Sequence, residues 1–103
     1  MIASVDTSRV TELIGQGGTF VLEISARWCH PCRVMEKFLV PMSDEFSDIP
    51  FYNVDYDSNT DIFDLLEIGT VPYIVIFQRG KPEVKIKGLI SESSLREAIA
   101  GIS

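Results

Sequence analysis

The sequence predicts an α/β fold, one mixed β-sheet with helices on both faces. Three observations carry this. Strand-like and helix-like segments alternate through the first two thirds of the chain, the pattern of parallel strands joined by helical crossovers. Tyr73 to Phe77 is an uninterrupted run of apolar β-branched and aromatic residues, as expected of a strand covered on both sides. The last two strand-like segments are separated only by the turn Arg79-Gly80-Lys81, which makes them an antiparallel hairpin.

The elements follow in order. Asp6, Thr7 and Ser8 supply helix-capping side chains, and Val10, Leu13 and Ile14 follow at helical spacing until the glycines between Gly15 and Gly18 end the helix. Thr19 to Ser25 alternates, with Phe20, Leu22 and Ile24 on one face and Val21 and Glu23 on the other. From His30, the apolar residues Val34, Met35, Phe38 and Leu39 mark a second helix. Pro31 stands in its first turn, where a missing N–H costs nothing. Pro41 is expected to interrupt or kink this helix before it resumes toward Phe46. Phe51 to Asp55 reads as a short strand, and Thr60 to Ile68 as a short helix closed by Gly69. Glu83 to Lys87 alternates as an edge strand does. Ser91 caps a last helix that buries Leu95, Ala98, Ile99 and Ile102. A first strand is not evident, although Ile2 to Val5 has room for a short one.

At 103 residues the chain is expected to be a single domain, spanning 1–103. Apolar residues make up 46% of it, enough for a modest core and too many for a disordered chain. A formal charge of −6 argues against nucleic acid and anionic membrane surfaces, both of which select clustered Lys and Arg. No apolar run approaches the roughly 20 residues of a membrane span. The first residues show no basic segment followed by an apolar stretch, so a cytoplasmic location is expected. A monomer is the expected state.

The two cysteines, Cys29 and Cys32, lie three positions apart. A bridge this short hardly constrains the unfolded chain, so stability is not its purpose. Its position suits chemistry. The pair falls where a strand ends and a helix begins, and the free N–H groups and dipole of a helix N-terminus favour a thiolate. Cys29 is therefore the candidate nucleophile, facing solvent. Cys32, one turn deeper, is the candidate resolving thiol that completes thiol–disulfide exchange. The C-x-x-C spacing also occurs in zinc sites, but here it sits inside a β-α-β pattern, which favours redox chemistry.

The segment from Ala26 through Trp28, Cys29, His30, Pro31 and Cys32 to Arg33 resembles the active-site signature of the thioredoxin family. Thr70-Val71-Pro72-Tyr73 resembles that family's second signature, whose proline follows a cis peptide bond. Arg79-Gly80-Lys81 resembles its hairpin turn, Lys87-Gly88 its glycine loop, and Asn53-Val54-Asp55 the strand before its third helix. The likeness covers nearly the whole chain and implies a thioredoxin fold and a protein-disulfide reductase. It implies that Trp28 flanks the site as an apolar platform. Pro72 would face the cysteines and present the Val71 backbone to an extended substrate, and Gly88 would admit a close partner. Glu23 would be a buried acid that exchanges a proton with Cys32. No cofactor or metal is expected. The expected partners are protein disulfides and a reductase or other thiol electron donor.

Four departures from the family pattern stand out. His-Pro replaces the usual Gly-Pro between the cysteines, and an imidazole there should favour the thiolate and make the disulfide more oxidising. Lys37 stands where a helix-kinking proline is usual, Ser25 where an aromatic is usual, and Phe51 where a lysine pairs with the buried acid. Blander readings stand beside these roles. His30 as a surface residue, Trp28 as packing, Pro72 as a turn proline and Glu23 as a solvated strand residue are the alternatives. Tyr52, Tyr56 and Asp57 read as ordinary loop or edge residues. Three other functions stay open: a disulfide oxidase or isomerase, a metal or iron–sulfur site on Cys29, His30 and Cys32, and a redox-regulated binding module.

Overall fold

Five strands form one sheet in the order β1-β3-β2-β4-β5 in the computed structural model, which describes residues 1–102. The strands are β1 (Ile2–Ser4), β2 (Phe20–Ser25), β3 (Phe51–Asp55), β4 (Tyr73–Gln78) and β5 (Lys81–Lys87). The helices are α1 (Thr7–Gly15), α2 (His30–Glu45), α3 (Ile62–Leu66) and α4 (Glu92–Ala100). Strand β3 lies parallel to both β1 and β2, whereas β4 is antiparallel to β2 and to β5. The mixed sheet and the terminal hairpin are those the sequence predicts. The weak first strand is real, three residues paired along β3.

The alternation in β2 separates two cores. Phe20, Leu22 and Ile24 pack with Val10 and Leu13 of α1 and with Ile62 and Leu66 of α3. Val21 packs on the opposite face with Met35, Leu39 and Met42 of α2 and with Leu95 and Ile99 of α4. Both faces of β2 are thus covered, and all six of its residues are buried. Each fully buried Leu or Ile contributes roughly 1.5–3 kcal/mol, so these two layers hold β2 rigidly at the centre of the sheet.

Two expectations about the helices are corrected. Pro41 does not interrupt α2, which continues through it to Glu45. Pro41 is exposed, so the carbonyl that loses its N–H partner there lies at the solvated face of the helix. Helix α3 is shorter than the Thr60 to Ile68 span and ends before Gly69. Glu67 takes the left-handed conformation (φ 57°). The Ile68 N–H donates to the Phe63 carbonyl (3.0 Å) and the Glu67 N–H to the Asp64 carbonyl (3.4 Å), the paired bonds of a Schellman ending.

The β4–β5 turn packs on the end of α1. Gly80 has φ +79°, and its N–H donates to the Gly18 carbonyl at 2.8 Å. A methyl group there would stand 2.6 Å from the Ile14 carbonyl oxygen, a backbone atom that cannot turn aside. Gly80→Ala should therefore destabilise the protein by about 2–3 kcal/mol in denaturant unfolding. Gly69→Ala, with nothing within 4 Å of the added carbon, should be close to neutral. Equal effects of the two changes would remove this packing argument.

Candidate active site

Strand β2 ends at Ser25, and Ala26, Arg27 and Trp28 carry the chain to the start of α2. Cys29 is the N-cap of α2. Its backbone is extended, and its Sγ accepts the Cys32 N–H at 3.2 Å. The sulfur thus occupies the place of a capping oxygen, at the positive end of a 16-residue helix. Arg33 braces the approach, its Nη2 donating to the carbonyls of Ala26 (3.1 Å) and Arg27 (2.8 Å). Cys29 and Cys32 are joined in a disulfide, their Cα atoms 5.3 Å apart.

The pair is more covered than the sequence suggests. Cys29 is 4% exposed and Cys32 fully buried, so the solvent-facing sulfur presents only a narrow window. Ala26, Tyr56 and Val71 pack around the two cysteines. The Val71–Pro72 peptide is cis. Pro72 is buried, and its carbonyl accepts the Gly88 N–H at 2.9 Å, which ties the loop before β4 to the loop after β5. Gly88 has φ +79°, and a methyl there would meet nothing within 4 Å, so its outer side is open. Trp28 is 69% exposed and is not core packing. Its indole N–H donates to Asp57 Oδ1 at 3.1 Å, which fixes the ring beside the cysteines. His30 and Pro31 are exposed on the first turn of α2.

Glu23 lies on β2, on the side that α2 covers. It is 1% exposed, which corrects the reading of a solvated strand residue. It shares that strand face with Val21. In the parallel register Asn53 of β3 stands opposite Glu23 and donates to Glu23 Oε1 at 2.9 Å. The other oxygen, Oε2, is buried and has no hydrogen-bond partner among the described residues. Burial pushes the Glu23 pKa up from 4.5 to about 7. The Asn53 hydrogen bond opposes that rise, Glu36 adds to it, and Arg33 opposes it. The carboxyl borders a cleft of about 370 Å³ that Ser25, Asn53, Arg33, Glu36 and Val40 help to line.

The candidate residues therefore fall in two places. One is a surface of Trp28, Cys29, His30, Pro31, Val71, Pro72 and Gly88 around the sulfur pair. The other is a polar cleft on the α2 side of β2 that holds Glu23. Sequence reasoning misses three contributors. Asp57 and Tyr56, read as ordinary loop residues, orient Trp28 and pack on the cysteines. Asn53 is noticed only as part of a strand. Its place beside Glu23 needs the β2–β3 register, which no local pattern encodes. Among the described residues no group of three or more His, Cys, Asp or Glu side chains is arranged to hold a metal ion.

The thioredoxin family model matches residues 2–101. The chain belongs to the thioredoxin family. Thioredoxin-1 of Saccharomyces cerevisiae is 27% identical over 93 residues, covering 90% of this chain and 89% of the relative. The thioredoxin of Fasciola hepatica, 26% identical, superposes over the whole of both chains with a TM-score of 0.87. The thioredoxin of Trypanosoma brucei brucei, at 23% identity, matches the fold with a TM-score of 0.89 over 99% of this chain and 90% of its own. The protein is a thioredoxin-type thiol–disulfide oxidoreductase, with protein-disulfide reductase activity. Its Cys-His-Pro-Cys pair stands at the N-terminus of α2 in the thioredoxin fold. None of the helices is long and apolar enough to cross a membrane, among the described residues.

Proposed function

We propose that this thioredoxin acts as a single-domain, cytoplasmic reductase of protein disulfides, with a potential more oxidising than that of ordinary thioredoxins. The observation that supports it most is the capping bond from the Cys32 N–H to Cys29 Sγ, with His30 exposed on the same turn. A negative sulfur strengthens that bond and gains from the helix dipole and from the polar imidazole on the same turn. All three favour the reduced pair, and stabilising the reduced form raises the potential.

The reaction takes two displacements. The Cys29 thiolate attacks a substrate sulfur, a new S–S bond forms, and the electron pair of the old bond leaves on the second substrate sulfur. Cys32 then loses its proton and attacks Cys29 Sγ, which closes the Cys29–Cys32 bond and releases the first substrate sulfur as a thiolate. Trp28, the Val71 backbone, Pro72 and Gly88 form the platform that receives the substrate chain. Glu23 takes the Cys32 proton, for which a pKa of about 7 is suited at neutral pH. A reductase enzyme or another thiol donor returns two electrons.

Equilibration with glutathione tests this reading. The potential should fall between roughly −270 mV, where thioredoxin lies, and roughly −180 mV, where protein disulfide isomerase lies. His30→Gly should move it toward the lower value. A wild-type potential at or below that of ordinary thioredoxin would overturn the His30 argument. A value at the upper limit would favour an oxidase or isomerase, the second reading that His30 supports.

A further inference from the structure

The Glu23 carboxyl is buried and held by an amide. Asn53 Nδ2 has two hydrogens, and both have acceptors: Glu23 Oε1 at 2.9 Å and Ser25 Oγ at 2.8 Å. Ser25 and Glu23 are two residues apart on β2, on the same side of the sheet, and Asn53 faces them from β3. Each acceptor fixes the orientation of the amide for the other. One carboxyl oxygen is thereby occupied, and the other, Oε2, is left buried and bare. A protonated carboxyl carries its hydrogen on one oxygen. With Oε1 accepting from Asn53, Oε2 is the oxygen available for the proton.

We infer that Asn53 is a positioning residue for the resolving step: it holds Oε1 and leaves proton acceptance to Oε2. The cleft is the route by which the proton then reaches solvent. This rests on the reading of Glu23 as the base for Cys32. In the mixed disulfide, the Cys32 S–H proton passes to Oε2. The Cys32 thiolate attacks Cys29 Sγ, and the Cys29–substrate bond breaks with its electron pair on the substrate sulfur. The proton on Oε2 then leaves to water in the cleft, whose volume of about 370 Å³ and polar lining can admit it. An amide serves here as a cation would not. A lysine would hold the carboxyl ionised and weaken it as a base, whereas a neutral donor lowers the cost of ionisation only in part.

The charged groups around Glu23 come from α2, β3 and the loop before Cys29. Arg33 and Glu36 project from α2, Asp55 lies on β3, and Arg27 lies in the loop before Cys29. Strand β1 contributes only the uncharged Ile2 and Ser4. The opposing effects of Glu36 and Arg33 on Glu23, together with the Arg33–Glu36 ion pair (2.8 Å), leave Asn53 as the main group opposing burial.

The test is the titration of the Glu23 carboxyl by carbon-13 NMR in the oxidised protein, where neither cysteine ionises. The pH profile of mixed-disulfide resolution is followed beside it. Asn53→Ala should raise the Glu23 midpoint by about one unit, and Asn53→Lys should lower it by a similar amount. Ser25→Ala, which frees the amide, should shift it upward by less. Opposite signs from two substitutions at one position are not what loosened packing produces. The midpoint of resolution should follow the carboxyl midpoint in each variant, and Asn53→Ala should add nothing to the rate loss in a Glu23→Gln background. A Glu23 midpoint that stays fixed in both Asn53 variants overturns the inference, and if neither folds, a fixed midpoint in Ser25→Ala does so. Glu23→Gln with wild-type resolution at every pH would instead overturn the reading of Glu23 as the base, and the kinetic half of the inference with it.

Discussion

Cys29→Ser should abolish turnover of a disulfide substrate, whereas Cys32→Ser should complete one attack and then stall. Both variants should remain folded. Serine is itself a good N-cap, so its hydroxyl can take the place of Cys29 Sγ at the Cys32 N–H. Losing a bridge between residues three apart also changes the unfolded chain little. What changes is the chemistry. Without the Cys29 sulfur there is no accessible nucleophile, because Cys32 is fully buried one turn into α2. Without Cys32 the mixed disulfide on Cys29 has no internal thiol to displace it. Mass spectrometry should show one substrate-derived thiol per molecule on Cys32→Ser and none on Cys29→Ser. Adducts on Cys29→Ser, or multiple turnovers by Cys32→Ser, would reverse or remove the assigned roles.

Raising the pH from 4 to 8 should cost the oxidised wild-type protein up to about 3 kcal/mol of stability that Glu23→Gln does not lose. The sign follows from the direction of the shift. The folded carboxyl titrates at about 7 and the unfolded one near 4.5, so between those values the native state holds a proton that the unfolded state has released. Stability then falls as pH rises through this window, and levels off above it. In physical terms, ionising Glu23 in the fold puts a charge where Oε2 has no donor to meet it. Gln carries no such charge. The two proteins differ only at this side chain, so the difference between their stability curves reports Glu23 and its coupling to Glu36 and Arg33. Denaturant unfolding of both proteins across that range checks it, and parallel curves would show that Glu23 does not titrate as its burial requires.

Most of the scaffold is legible in the sequence because its signals are local. The two faces of β2 can be read from Phe20, Leu22 and Ile24 against Val21 and Glu23, and they separate the two cores. The covered strand β4 and the Gly80 turn are equally plain. Strand β1 is weak in the sequence because three residues are too few to show a period, and its pairing comes from β3. The end of α3 is misplaced because hydrogen bonds from Glu67 and Ile68, and not a glycine, determine it. At the site, the cysteines and Pro31 announce themselves by their position at a helix start. Asn53 does not, because it meets Glu23 across 30 positions of chain. Nor does Asp57, which meets Trp28 across 29. Such pairs depend on register and loop path, and polar residues on a strand or a turn have many ordinary reasons to be there.

The capping sulfur has a consequence for how folding and oxidation are related. Since Cys29 terminates α2, reducing the disulfide also changes the end of the longest helix in the described structure. The four states formed by folding and reduction make a closed thermodynamic square. Whatever the folded cap adds to the stability of the thiolate must reappear, undiminished, as extra resistance of the reduced form to unfolding relative to the bridged one. Each 30 mV by which the folded pair departs from the same pair in an unfolded chain corresponds to about 1.4 kcal/mol of that difference. An electrode and a denaturant titration would therefore measure the same quantity along different sides of the square.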